Sequence, residues 1–89
     1  MPVRKRVRYS GQVQGVGFRY SARQLAQRFA VAGYVRNLST GDVELVAEGE
    51  PGEVHAFLDA VADHMAANID SHTIHDEPPG AMQGFVIRH

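Results

Sequence analysis

The residues best suited to chemistry lie between Ser10 and Leu25, in "SGQVQGVGFRYSARQL", where Gly11, Gly15 and Gly17 precede Phe18 and Arg19. Glycines let successive backbone N–H groups turn inward into a concave nest that holds an anion. The residues from Phe18 onward carry helical spacing, so the turn stands at a helix N-terminus. There the first N–H groups lack internal acceptors and the helix dipole adds partial positive charge. Arg19 contributes a permanent cation whose planar fork suits phosphate oxygens. Together these make a cradle for a phosphate or a carboxylate. The plainer reading is a tight turn followed by a solvated arginine. A nucleotide-triphosphate loop is excluded, because the terminal Gly-Lys-Ser/Thr is missing. The dinucleotide fingerprint is excluded as well, since its glycines are spaced differently and belong to a parallel βαβ unit.

The elements that must position this loop follow from periodicity. Val3, Val7 and Tyr9 alternate with Arg4, Arg6 and Arg8, which predicts a half-buried strand up to Ser10, with Lys5 interrupting the apolar side. Phe18, Ala22, Leu25, Ala26 and Phe29 recur at steps of three and four, predicting a helix from Phe18 to Ala32. Gly33 is expected to end it in the left-handed conformation. "YVRNL" and "VELVAEG" flank "STGD", a hairpin signal with Gly41 at the positive-φ position. Pro51 suits the first turn of a second helix, and Val54, Phe57, Leu58, Val61, Ala62 and Met65 form its apolar stripe. "NIDSHTIHDE" reads as a weakly patterned strand, Pro78-Pro79-Gly80 breaks the chain, and "GFVIRH" returns to β-formers. Right-handed crossovers fold this order into a ferredoxin-like α+β sandwich, βαββαβ, with both helices on one face of a mixed, mostly antiparallel sheet and a short extra final strand.

Composition bounds the rest. The 89 residues are expected to make one domain, 1–89, and 44% hydrophobic content is that of a globular chain. Absence of cysteine excludes disulfides and thiolate metal sites. The basic start "MPVRKRVRY" leads into no apolar segment of a secretory signal. No apolar run approaches the roughly 20 residues of a membrane span, and a formal charge of −1 gives no global pull toward nucleic acid or membrane. The expectation is a cytoplasmic monomer.

"GQVQGVGFR", Gly11 to Arg19, resembles the signature of the acylphosphatases, G-x-V-Q-G-V-x-F-R. "GYVRNLSTGDVEL", Gly33 to Leu45, is similar to that family's second motif, and "FVIRH" to its closing strand, which more often ends in tyrosine. The resemblance covers essentially the whole chain. It implies hydrolysis of acyl phosphates to a carboxylate and inorganic phosphate, with no metal or cofactor. It further implies that Arg19 and the amides of Gly15, Val16, Gly17, Phe18 and Arg19 bind the phosphate, and that Asn37 positions the attacking water. Inorganic phosphate would then be both product and competitive ligand. The alternative within the same resemblance is a binding module that grips a phosphoryl ligand without turnover.

Other candidates carry less. Asn37-Leu38-Ser39 is formally a glycosylation sequon, read as chance in the absence of a secretory signal. His55 and His64, nine residues apart, fall on opposite faces of a helix, and His72 and His75 on opposite faces of a strand, so no metal site is expected. "RKRVR" is a solvated strand face, because "VELVAEG" lacks the stacking aromatics of an RNA-recognition sheet.

Overall fold

The computed structural model describes residues 1–89. Its elements run β1 (Val3–Gly11), α1 (Phe18–Ala26), β2 (Val31–Asn37), β3 (Val43–Gly49), α2 (Pro51–His64), β4 (Ile69–Glu77) and β5 (Phe85–Arg88). The five strands form one sheet in the order β4-β1-β3-β2-β5, with only the β2–β5 pair parallel. Both helices pack on one face, where Val7 and Tyr9 of β1, Val35 of β2 and Val43, Leu45 and Ala47 of β3 meet Phe18, Ala22 and Leu25 of α1 and Val54, Phe57 and Val61 of α2. This is the expected ferredoxin-like sandwich with its extra strand.

The first helix is shorter than its apolar spacing suggested. It stops at Ala26, and Arg28 and Phe29 donate to carbonyls three residues back, Leu25 at 3.0 Å and Ala26 at 3.2 Å, which tightens the chain into a turn. The side chain of Glu53 then accepts from the Ala30 amide at 2.7 Å and directs the chain into β2. Phe29 still packs on Phe57, at 6.0 Å between ring centres, from this turn rather than from a helix. Gly33 is therefore not a helix cap but a residue of β2 with φ 150°. A Cβ there would lie 1.8 Å from the Val46 carbonyl oxygen, so close backbone approach is what requires glycine. The other local readings agree: Gly41 has φ 97° in the hairpin turn, and Pro51 opens α2.

The face away from the helices is an ion-pair lattice. Arg4 pairs with Glu48 at 2.8 Å, Arg6 with Glu77 at 3.4 Å, Arg8 with Asp42 at 2.6 Å and Arg36 with Glu44 at 2.9 Å. Glu48 has a second task. β4 and β5 lie at opposite edges of the sheet, so the segment joining them must cross it, and Glu48 holds that segment by accepting from Gly80 N–H at 2.7 Å and Met82 N–H at 3.1 Å. The Gly80 amide first, then the Met82 amide and Arg4, hold the Glu48 carboxyl below its ordinary value against the opposing effect of burial.

Candidate active site

Strand register brings the distant motifs to one end of the sheet. Val43 pairs with Tyr9 on one side and with Asn37 on the other, so the end of β1 and the end of β2 stand in the same row. β5 runs parallel to β2 with Arg88 opposite Arg36, and so delivers His89 to that end too. The glycine loop leaves β1 at Gly11 and folds back over this edge.

The loop is shaped by alternating handedness. Gly15 has φ 75° and Gly17 φ 80°, with no heavy atom near an added Cβ at either position, so conformation rather than space selects glycine there. Gly17 is the N-cap of α1 and supplies no side-chain cap. The amides of Gly15, Val16, Gly17, Phe18 and Arg19 donate to no backbone carbonyl. A row of free donors at a helix N-terminus is the physical basis of an anion site. Phe18 anchors the row from beneath: it is buried and packs 4.9 Å from the Tyr9 ring, centre to centre. Burial pushes the Tyr9 hydroxyl pKa up, so this ring remains a neutral part of the floor.

A cavity of about 520 Å³ opens above these residues, lined by Val13, Gly15, Gly17, Phe18, Arg19, Tyr20, Arg23, Asn37, Val86, Ile87 and His89. Of the residues expected from the motifs, Gly15, Gly17, Phe18, Arg19 and Asn37 meet on this one cavity. Val16 belongs to the loop without lining the cavity, and it is exposed to solvent. Arg19 donates from Nη1 to His89 Nδ1 at 3.2 Å; guanidinium has no acceptor, so Nδ1 is the unprotonated ring nitrogen in this contact.

Three residues at the site received no role from the motifs, although Gln14 stands inside the first of them. Gln14 Nε2 donates to the Leu38 and Asp42 carbonyls, both at 2.8 Å, and clamps the loop onto the β2–β3 turn. Its signal was its place in the first motif, as the glutamine of G-x-V-Q-G-V-x-F-R. Arg23 follows Arg19 by four residues, the spacing that puts two side chains on one helix face. His89 stood out only as a departure from a motif.

A family model for acylphosphatase matches residues 5–87. An acylphosphatase of Rubrobacter xylanophilus is 42% identical over 96% of this chain and 79% of its own length. An acylphosphatase of Thermococcus kodakarensis is 40% identical over 96% of this chain and 94% of its own. Among solved structures, the crystal structure of acylphosphatase from Bacillus subtilis superposes with a TM-score of 0.88 at 28% identity, covering 98% of this chain and 99% of that one. With the glycine loop, Arg19 and Asn37 assembled on one cavity and the match running through nearly every residue, the chain belongs to the acylphosphatase family.

Proposed function

We propose that this acylphosphatase holds the phosphoryl group of its substrate with the Arg19 guanidinium and the amides of Gly15, Val16, Gly17, Phe18 and Arg19, and aims the attacking water with Asn37. The reaction breaks the bond between phosphorus and the acyl oxygen and yields a carboxylate and inorganic phosphate. A carboxylate leaving group, with a conjugate-acid pKa of about 4, departs as an anion without a general acid. What the enzyme supplies is a grip on a dianionic phosphoryl group, stabilisation of its transition-state charge and alignment of the water, since phosphoryl transfer is largely positioning and electrostatics. The free amides and Arg19 meet the first two needs. Asn37, whose side-chain amide both donates and accepts, meets the third.

The observation that carries this reading is the shared cavity: the unpaired amides and the guanidinium of the Gly15–Arg19 segment meet Asn37, from the end of β2, on it. Such a site needs no cofactor or metal. The same reading includes a single domain over residues 1–89 acting as a cytoplasmic monomer, and size-exclusion chromatography with light scattering tests the monomer. The mechanism is tested by benzoyl phosphate hydrolysis run beside a thermal-shift titration with inorganic phosphate. Turnover with a phosphate-dependent rise in Tm supports it. A rise without turnover would make the cradle a binding module only, and turnover with no phosphate protection would remove the cradle from the mechanism.

A further inference from the structure

Nine lysines and arginines are present, and five of them, Arg4, Lys5, Arg6, Arg8 and Arg36, are paired with carboxylates. Arg19 and Arg23 have no carboxylate partner, and both line the cavity, whose lining contains no acidic residue. Arg23 lies one turn beyond Arg19 on the same face of α1, about 6 Å further along the axis. Exposed Tyr20 and Val86, with Ile87 and the buried Val13 and Phe18, supply the apolar part of the lining. A cation left unneutralised in a cavity that already carries a phosphate-binding arginine marks a place for a second negative charge.

We infer that Arg23 is a specificity-determining residue that favours acyl phosphates whose acyl part carries a second carboxylate. This rests on the phosphoryl group occupying the loop and Arg19. The acyl body then lies along the apolar lining, and its far carboxylate meets the Arg23 guanidinium, which matches it in a planar fork. The competing explanation is that Arg23, in the last turn of α1, only complements the negative end of the helix dipole. That role would move stability and leave substrate preference untouched.

The test compares kcat/KM for 4-carboxybenzoyl phosphate with that for benzoyl phosphate, two substrates that differ by one carboxylate. The expected preference of the wild-type protein for the carboxylated substrate is roughly threefold to tenfold, as for one partly solvated charge pair. Arg23→Gln should bring the ratio to about one, Arg23→Lys should keep part of it, and 0.5 M salt should reduce it in the wild type by screening. A wild-type ratio near one, or an Arg23→Gln ratio equal to the wild-type ratio, overturns the inference even if Tm falls. Failure of the wild-type protein to hydrolyse benzoyl phosphate at all would instead strike the proposed mechanism, so the two failures are distinguishable.

Discussion

Gln14 Nε2 donates to the Leu38 carbonyl at 2.8 Å, joining the anion loop to the hairpin that carries Asn37. The same amide nitrogen reaches the Asp42 carbonyl, while the Leu38 amide donates across the turn to that carbonyl at 2.8 Å. One side chain thus ties the glycine loop to the turn that follows Asn37. Replacing Gln14 with Leu removes both bonds. Each carbonyl keeps its other donor, so the expected loss of stability is small, about 1–2 kcal/mol by urea denaturation. The kinetic effect should be larger: kcat falls at least tenfold, because a slight misplacement of the water relative to phosphorus is costly. An unchanged kcat would show that the clamp does not set the catalytic distance.

Gly17 and Gly33 both have positive φ, but for different physical reasons, and alanine separates them. At Gly17 nothing stands near an added Cβ, so Gly17→Ala strains only the backbone, by about 1–2 kcal/mol. Relief of that strain flattens the loop, so phosphate affinity and kcat/KM should fall while the fold survives. Asparagine tolerates the left-handed region better, and Gly17→Asn should keep more activity than Gly17→Ala. At Gly33 the Cβ would meet the Val46 carbonyl oxygen at 1.8 Å, so Gly33→Ala should separate β2 from β3 and abolish the folding transition. Circular dichroism melts and phosphate titrations of the variants check both outcomes.

Glu48 gives the fold an acid limit. Its carboxyl is held below its ordinary value of 4.5, chiefly by the Gly80 amide, with Met82 and Arg4 adding to it. A depressed folded-state pKa contributes stability that is full above 4.5 and is lost as pH falls through the folded-state value. The urea midpoint should therefore drop below pH 4.5 in the wild type. In Glu48→Gln it should be lower at pH 7 and less steep on the acid side, because the titrating partner is gone. Detachment of the segment that Glu48 holds should also loosen β5, and hydrogen exchange of the β5 amides would register it.

Much of this arrangement was legible in the sequence, and the misses have definite causes. The period-two pattern around Val7 and Tyr9, the 3.6 period of Val54, Phe57 and Val61 and the turn at Gly41 are local signals, and local structure follows them. Phe29 and Gly33 misled because a half-buried residue in a turn falls in step with a helical stripe, and because glycine suits a helix end as well as a close strand crossing. Only the nearness of the Val46 carbonyl distinguishes the two. β4 was weak for a different reason: from Asp70 to Asp76 its residues are exposed at the sheet edge, so no buried face imposes alternation. In the site, Gln14, Arg19 and Asn37 stood in recognisable motifs, but the clamp made by Gln14 and the contact of His89 with Arg19 join elements far apart in the chain, and Arg23 lay outside every motif.

The proposed division of labour between Arg19 and Asn37 is tested by one paired measurement: kcat for benzoyl phosphate together with the inhibition constant for inorganic phosphate in Arg19→Ala and Asn37→Ala. Arg19→Ala should lose phosphate inhibition and lower kcat by about 10³ or more, as expected for an arginine that stabilises a phosphoryl transition state. Asn37→Ala should keep phosphate inhibition near the wild-type value while kcat falls by about 10²–10³, as when one positioned polar group is removed. A normal kcat in Asn37→Ala, or intact phosphate inhibition in Arg19→Ala, would contradict the division of roles.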